Sequence, residues 1–491
     1  MHHPRIAASA RMYVGLVGTL SMLLVACGGS TPTATPQPTT RAASPTVASS
    51  ATQPTRSAGS ASAIAGTAAT STNAAGTASA TSARGSVTAE ATAAGSPAAS
   101  AVAGNPNVAH EDFTVDFGDF QSRAQLTYPA TGNGPFPTVI LIPGTGPFDM
   151  DFTILDRQSG AARSHIFGDI AQYLTANGYA VIHYNKHYIT GPTDQQNSSV
   201  TAKFYALSQK QLLADADKVY QSARTNPRVD TKRIILYGWS EGTTHATALV
   251  LAHPEIAGLI LQAPVAGSWK DTFAYQSLDV GVGFLRDVAD TNKDGAITIE
   301  EILAAFRNSP GTASGFAAVL TLDLSQPAAS SASPAAATAP ASSAAASPAS
   351  SGLRLNPQTD KNGDGKLDIA GEIVPSSHGF FANFDENARS TQYAPYTADK
   401  SLPTIVSSLP GYKGPVLILQ GGRDANVNPA GAKQIDDALA AANNPDHTLI
   451  VYPNLGHSLG QTPSVYADNF QPIDPKPLGD TAAWLTARFK K

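Results

Sequence analysis

Three observations predict an α/β fold with a mostly parallel, doubly wound sheet. Short apolar runs of strand length alternate with longer segments of helical periodicity, an order that favours a parallel sheet covered by helices on both faces. Glycine-rich segments follow several of these runs, at the end of the strand where open α/β sheets place their functional groups. A long segment, residues 268–403, interrupts the alternation and predicts an insertion after the strand that follows the central helix.

The individual elements are predicted from periodicity in chain order. Alternating apolar and polar side chains at 113–117 and 124–128 favour an antiparallel opening hairpin. Runs that are apolar on both faces predict parallel strands at 138–142, 180–184, 234–237, 258–263, 416–420 and 448–452. Apolar residues at helical spacing predict helices at 166–177, 207–225, 243–252, 430–442 and 481–489. The core is therefore expected to consist of residues 109–267 and 404–491.

Composition limits the classes of function. The chain has 491 residues, of which 42% are apolar, and its 32 basic and 37 acidic side chains give a net charge of -5. This balance argues against nucleic acid as the main partner. A single cysteine excludes an intramolecular disulfide framework.

The N-terminus has the pattern of a secretory signal. Arg5 and Arg11 precede the apolar segment 12–26, which is too short to span a membrane comfortably. It ends in Leu-Val-Ala-Cys-Gly at 24–28, which resembles a bacterial lipobox. The resemblance implies removal of residues 1–26 and diacylglycerol on Cys27, which would anchor the protein by lipid on the extracellular side of the cell membrane. An uncleaved anchor helix and release as a secreted protein are the alternatives.

Residues 27–108 consist almost entirely of Ala, Ser, Thr, Pro and Gly. Such a segment cannot bury enough apolar surface to offset the entropy of ordering, so it is expected to be a disordered tether.

Three residues at strand ends suggest nucleophilic catalysis. Ser240 lies in Gly-Trp-Ser-Glu-Gly after one apolar run, Asp424 follows the run 416–420, and His457 lies in the loop after 448–452. An alcohol needs a base to become a nucleophile, and the base needs a carboxylate to fix its tautomer. The order serine, acid, histidine is that of the α/β-hydrolases. The alternative is an ordinary surface turn, a solvated aspartate and a loop histidine.

The glycine-rich loop 143–151, which follows strand 138–142, occupies the position that supplies an oxyanion donor in such a fold. The backbone N–H groups of Thr145 and Glu241 are the candidate donors. The alternative is a simple turn.

Residues 113–270 and 400–491 resemble secreted bacterial α/β-hydrolases related to dienelactone hydrolases and prolyl oligopeptidase-type enzymes. The matching pieces are the loop 142–151, the segments 167–174 and 178–181, and the serine turn. Where the family usually has Arg-Tyr-Asp-Lys-Arg-Gly, this chain has His-Tyr-Asn-Lys-His-Tyr at 183–188.

The resemblance implies a serine hydrolase without an organic cofactor, most simply a carboxylesterase that acts on small-molecule esters through an acyl-enzyme. A peptidase or amidase of the prolyl oligopeptidase type is an alternative. A calcium-dependent surface binding protein built on an inactive hydrolase scaffold is another.

The insertion is expected to form a cap, and residues 290–301 within it fit a complete EF-hand loop. Hard oxygen ligands at these positions favour calcium, and Gly295 permits the sharp turn. The candidate ligands are Asp290, Asn292, Asp294, the Ala296 carbonyl, Thr298 and Glu301. Ile297 at the eighth position suits a short β contact with a partner loop.

A second, incomplete loop at 360–372 is the predicted partner, with Leu367 equivalent to Ile297. Gly371 stands where an acid is expected. The candidate ligands are Asp360, Asn362, Asp364, Lys366, Asp368 and Glu372. A low-complexity strap at 326–352 joins the two loops, so calcium is expected to have a structural role in pinning the halves of the cap together.

Overall fold

The computed structural model describes residues 106–156, 159–323, 353–391 and 393–490. The predicted signal peptide, Cys27, nearly all of the tether and the strap 326–352 lie outside these residues. In the described ranges, no helix is both long enough and apolar enough to cross a membrane.

The main sheet has eight strands in the described part of the chain. They are β1 Val108–Asp116, β2 Gln121–Pro129, β3 Phe136–Ile142, β6 Ala180–Tyr184, β7 Val229–Trp239, β8 Gly258–Gln262, β11 Val416–Gly421 and β12 His447–Tyr452. Their order in the sheet is β1-β2-β6-β3-β7-β8-β11-β12. The pairs β1-β2 and β2-β6 are antiparallel and the remaining pairs are parallel. This mixed but mostly parallel order is that of the α/β-hydrolase fold, as predicted.

Central strands are buried on both faces because their side chains are apolar at successive positions. Val139 and Leu141 of β3 belong to one buried cluster, whereas Ile140 and Ile142 belong to the cluster on the opposite face. Each face is covered by helices, so the core has two layers, one on each side of the sheet. A two-stranded hairpin, β4 Thr153–Leu155 with β5 Ala162–His165, was not predicted because its strands are too short to show a period.

Five of the seven helices in the described core lie close to the predicted ranges, and the two short helices at 198–205 and 405–408 were not predicted. The seven helices are α1 Ile166–Ala176, α2 Ser198–Tyr205, α3 Gln209–Ala223, α4 Glu241–Ala252, α10 Ile405–Ser408, α11 Ala430–Ala441 and α12 Pro475–Phe489. Two starts differ from the prediction. Helix α4 begins at Glu241 instead of residue 243, directly after the serine turn, and α12 begins at Pro475 instead of residue 481.

The insertion is helical. Helix α5 begins at Trp269–Ala274 and continues through Tyr275–Gly281, Val282–Phe284 and Leu285–Ala289, two of which are π-helical. The other helices are α6 Ile299–Asn308, α7 Thr312–Thr321, α8 Val374–Ala382, preceded by a π-helical turn at Ile369–Ile373, and α9 Phe384–Asn387. Strands β9 Ala296–Ile297 and β10 Leu367–Asp368 form a short antiparallel ladder in which Leu367 faces Ile297.

Single 3₁₀ turns complete the described elements. They lie at Pro192–Gln196, Ala388–Ser390, Ala394–Tyr396, Leu409–Gly411 and Val465–Ala467.

Candidate active site

Ser240 occupies a sharp turn between β7 and α4. Its backbone has φ 54° and ψ -122°, a region that residues other than glycine rarely adopt. Neither of the flanking glycines, Gly238 and Gly242, has a positive φ. A methyl group on Gly238 would overlap the backbone of Gly242 and Thr243, and one on Gly242 would overlap the carbonyl oxygen of Ile142. The two glycines are therefore needed for close backbone approach.

Asp424 and His457 meet at the same edge of the sheet. His457 Nδ1 lies 2.9 Å from Asp424 Oδ2 and 3.0 Å from Oδ1. The carboxylate is completely buried and also accepts hydrogen bonds from the backbone N–H groups of Asn426 and Val427 and from the Gln420 side chain. These donors fix the carboxylate, which in turn orients the imidazole. Nε2 is then the ring nitrogen left for the nucleophile.

The serine turn lies beside this pair. The indole N–H of Trp239 donates to the His457 carbonyl oxygen at 3.1 Å, and the two rings are 5.6 Å apart. Ser240 follows Trp239 directly, so the residue that carries the hydroxyl adjoins the residue that is bonded to the histidine. Ser240 and His457 are both buried, which places the site beneath the surface of the described structure.

The glycine-rich loop after β3 lies against the serine. A methyl group on Gly144 would come 3.1 Å from Ser240 Cβ, so this loop passes as close to the nucleophile as its backbone allows. Thr145, the next residue, is exposed. Glu241 is the first residue of α4, where backbone N–H groups have no acceptor within the helix. Glu241 therefore adjoins Ser240 in the chain, and Thr145 follows the glycine that packs against it.

A buried polar network that the sequence analysis missed joins these two donors. Lys186 Nζ donates to the Gly144 carbonyl oxygen at 2.6 Å and to Glu241 Oε2 at 3.2 Å. From the insertion, the Tyr396 hydroxyl donates to Glu241 Oε1 at 2.9 Å. Within the segment 183–188, Lys186 and Tyr184 are the two residues that match the family pattern, and the retention of the lysine was the available signal.

The charge on Glu241 is stabilised by its partners. Burial alone would raise the pKa of the Glu241 carboxyl, but the charge of Lys186 and the hydrogen bonds from Gln209 and Tyr396 hold it below its usual value. Burial and the adjacent carboxylate raise the pKa of Tyr396, so its hydroxyl keeps the proton that it donates. Burial lowers the pKa of Lys186, and the charge of Glu241 opposes this shift. Lys186 and Glu241 thus form a buried salt bridge, 3.2 Å long, with hydrogen bonds to neighbouring groups.

The two predicted calcium loops have matching backbones. Positions four and six have positive φ in both, at Lys293 and Gly295 in the first loop and at Gly363 and Gly365 in the second. Asn292 accepts from Asp294 N–H at 2.9 Å, and Asn362 accepts from Asp364 N–H at 2.8 Å. The β contact expected between Ile297 and Leu367 is present. The remaining candidates, Ala296 and Lys366, donate backbone N–H groups to Asp294 and Asp364.

The acids at the ends of the loops are turned towards the helices that follow. Glu301 Oε2 accepts from the backbone N–H and the hydroxyl of Thr298, at 3.0 and 2.9 Å, and so caps α6. Glu372 accepts from Asp368 N–H at 3.0 Å. Among the described residues, no group of three or more His, Cys, Asp or Glu side chains is arranged to hold a metal ion, and the orientation of Glu301 and Glu372 is part of the reason.

One observation fits a cation in the first loop. Asp290 is 3% exposed, and within the described chain its Oδ1 has no hydrogen-bond partner. A buried carboxylate oxygen without a donor is costly, and a cation would remove that cost. The other oxygens of the loop are a hard donor set of the kind that Ca²⁺ prefers.

Comparison with known protein families finds a match for part of the chain. Residues 160–293 match the family described as serine aminopeptidase, S33. This match covers less than half of the chain and includes Ser240, whereas Asp424 and His457 lie beyond it.

Esterase EstD of Thermotoga maritima is 30% identical over 142 residues, which are 29% of this chain and 30% of the esterase. The chain therefore aligns with less than a third of that relative's length.

Two solved structures illustrate the structural likeness. Acylaminoacyl peptidase of Pyrococcus horikoshii has 9% identity and a TM-score of 0.41, with 78% of this chain and 42% of that chain covered. Proline iminopeptidase of Mycobacterium smegmatis has 15% identity and a TM-score of 0.39, with 77% of this chain and 98% of that chain covered. At these values the likeness carries no argument about substrate or activity.

Proposed function

We propose that the protein is a serine hydrolase, specifically a carboxylesterase that acts through Ser240, His457 and Asp424. The observation that carries this proposal is the buried Asp424–His457 pair, 2.9 Å apart, beside a serine on a sharp turn at the carboxyl end of β7. The partial match to an esterase supports ester substrates over amides.

In the proposed mechanism, Ser240 Oγ attacks the carbonyl carbon of the ester while His457 Nε2 takes its proton. Asp424 accepts the Nδ1–H and stabilises the imidazolium. The backbone N–H groups of Thr145 and Glu241 bind the oxyanion of the tetrahedral intermediate. His457 then gives the proton to the leaving alcohol, and a water molecule activated by the same imidazole releases the acid and regenerates Ser240.

Fluorophosphonate labelling and ester hydrolysis test this proposal together. The wild-type chain is expected to be labelled and to hydrolyse short acyl esters, whereas Ser240→Ala loses labelling and about 10⁴-fold or more in kcat. Ser458→Ala, which removes a hydroxyl bonded to the Gln471 carbonyl oxygen, is the matched control and should remain labelled. Equal labelling of wild type and Ser240→Ala contradicts the proposal.

A peptidase is the second candidate, because residues 160–293 match a serine aminopeptidase family. Proline-containing aminoacyl amides of equal chain length, assayed beside the esters, distinguish the two activities. A higher kcat/KM on the amides would replace the carboxylesterase by a peptidase and leave the triad unchanged.

We also propose that the loop at 290–301 binds calcium through Asp290, Asn292, Asp294, Ala296, Thr298 and Glu301, and that the loop at 360–372 supports a weaker site. The buried Asp290 Oδ1 and the paired loops support this proposal. Glu301 would leave its capping role to reach the ion.

Calorimetric titration with Ca²⁺ tests the loops directly. Asp290→Ala is expected to abolish the tighter binding event, and Asp360→Ala only the weaker one. If Ca²⁺ produces no heat of binding in the wild-type protein, the calcium proposal is contradicted and the hydrolase proposal is unaffected.

Finally, we propose that the protein is anchored by lipid at Cys27 on the extracellular side of the membrane. Cys27→Ser is expected to move the protein from the membrane fraction of the expressing cell to the soluble fraction. An unchanged membrane fraction would contradict lipid attachment at this cysteine.

A further inference from the structure

Asp468 is a buried carboxylate that none of the proposed steps uses. It lies in the loop after β12 and has no exposed surface. Its Oδ2 accepts two backbone N–H groups, from Ala425 at 3.0 Å and from His457 at 3.0 Å. Ala425 follows the proposed acid Asp424 in the chain. One oxygen atom thus bonds both the loop that carries the acid and the loop that carries the base.

We propose that Asp468 is a positioning residue that holds His457 in register with Asp424. This proposal rests on the proposed function of the triad. The acid and the base leave the sheet from different strands, β11 and β12, so their relative position depends on contacts between the two loops. Asp468 makes its contact at the backbone of the base itself, where a small displacement changes the direction of the imidazole.

The packing around Asp468 leaves it little freedom. A methyl group on the preceding loop residue Gly456 would overlap Asp468 Oδ1, so only glycine leaves room for the carboxylate. Within the part of the chain that the structure describes, this oxygen is buried and has no hydrogen-bond partner. Asp468 therefore holds its position through Oδ2, the atom that bonds the two loops.

The charged and titratable groups that face Asp468 are Asp424, His457 and Tyr275. Burial, followed by the charge of Asp424, raises the pKa of Asp468 to about 6. A proton taken up at Oδ1 would leave Oδ2 free to accept both N–H groups. Asparagine, which is neutral and keeps one carbonyl oxygen, is therefore a close mimic of the protonated form.

The insertion is attached to the same loop. The Asp468 carbonyl oxygen accepts from Thr312 N–H of α7 at 3.1 Å, and the Tyr466 hydroxyl donates to Asp287 at 2.7 Å. Asp468 thus connects the triad to the insertion through its backbone and the two catalytic loops through its side chain.

The test compares Asp468→Asn, which keeps an acceptor, with Asp468→Ala, which removes it, in the full-length protein. Asp468→Ala is expected to lower kcat about 10- to 100-fold with KM within about twofold, because two buried N–H groups lose their acceptor. Asp468→Asn should restore kcat to within about threefold of wild type, since its carbonyl oxygen can still accept. Asp230→Asn is the matched control. Asp230 also accepts a backbone N–H, from Lys232 at 2.9 Å, but it lies near the opposite end of β7 from Ser240.

A second readout does not depend on activity. The Nδ1–H proton of His457 should give a downfield NMR signal in wild type and in Asp468→Asn, and this signal should be lost or broadened in Asp468→Ala. If Asp468→Ala does not fold, Asp468→Leu, which has a similar size and no acceptor, takes its place. A folded acceptor-free variant that keeps both the signal and kcat overturns the proposal. A wild type that shows the signal but hydrolyses no ester or amide contradicts the proposed function instead, and the signal still decides the role of Asp468.

Discussion

The strain at Ser240 is held by fixed hydrogen bonds. A residue other than glycine at φ 54° costs on the order of 1–3 kcal/mol, which the surrounding structure must offset. Ser240 N–H donates to the Gln262 carbonyl oxygen of β8 at 2.9 Å, and the Ser240 carbonyl oxygen accepts from Thr243 N–H at 2.9 Å. The serine is thereby fixed at the strand end that faces the candidate site.

Replacing Gly242 by alanine tests whether close backbone approach defines this turn. The added methyl group would overlap the carbonyl oxygens of Ile142 and Pro143, so we expect the free energy of unfolding to fall by about 1–3 kcal/mol. Gly315→Ala is the control, because Gly315 lies in α7 and a methyl group there meets no atom within 4 Å. The control should gain about 0.4–1 kcal/mol. Urea unfolding measures both, and equal stability of the two variants would contradict the steric argument.

Removing the positive charge of Lys186 tests how much its buried salt bridge with Glu241 stabilises the protein. Lys186→Met leaves the Glu241 carboxylate buried without its counter-ion, and we expect a loss of about 3–5 kcal/mol in the free energy of unfolding. Adding Glu241→Gln should recover most of this loss, because the neutral amide no longer needs a counter-ion. A double-mutant cycle by urea unfolding gives the coupling energy. Additive losses in the double variant would mean that the two side chains act independently.

The residues of the candidate site were predictable to different degrees. Ser240, Asp424 and His457 each follow an apolar run closely, so the sequence alone places them at one sheet edge. Tyr396 and Asp468 could not be found in this way. They lie in 3₁₀ turns or loops without a period, and their contacts depend on how the insertion and the last loop pack.

At the scale of elements, the central strands were predictable because burial on both faces leaves a continuous apolar run. The helices of the insertion were not, since α5 changes from α- to π-helical geometry. Its first turn packs Trp269 and Phe273 into a buried cluster of the core, and polar contacts follow. Tyr275 of this helix donates to the Asp424 carbonyl oxygen at 2.7 Å, and Gln276 donates to the Asn426 carbonyl oxygen at 2.8 Å. The helix then ends at Ala289, directly before Asp290, so it connects the acid loop to the first candidate calcium loop.

Shortening a side chain in the β contact between the two loops tests whether the loops depend on each other for calcium binding. Leu367 is fully buried opposite Ile297, and Leu367→Ala removes packing from the insertion core, worth about 2–5 kcal/mol. We expect a lower Tm and a higher calcium concentration for half of the calcium-induced rise in Tm. Leu251→Ala, at a side chain that is 39% exposed, should change neither quantity appreciably. Calorimetry with and without chelator measures the effect, and an unchanged calcium dependence in Leu367→Ala would show that the loops bind independently.

At the scale of the whole molecule, one buried and one partly buried acid make the free energy of unfolding depend on pH in opposite directions. Burial raises the pKa of Asp215 to about 6, although the hydrogen bond with His187 opposes this. Asp230 shows the opposite shift. Burial would raise its pKa, but the hydrogen bonds from Arg233 and from the Lys232 backbone, together with the charges of these two residues, outweigh that effect and lower it.

The variant Asp215→Asn tests the first of these contributions. Between the unfolded pKa of 3.8 and the folded value of about 6, the folded protein binds this proton more tightly than the unfolded chain does. Raising the pH through this window therefore lowers the free energy of unfolding of the wild type by on the order of 2–3 kcal/mol. The asparagine variant does not titrate at this position and so does not lose this stability. Urea unfolding between pH 4 and pH 7 should show Asp215→Asn gaining on wild type as the pH rises. For Asp230→Asn the lowered folded pKa reverses the sign and places the window below the unfolded pKa of 3.8, so this variant should keep a nearly constant difference from wild type between pH 4 and pH 7. Parallel curves for wild type and Asp215→Asn would mean that the buried carboxylate does not titrate in this window.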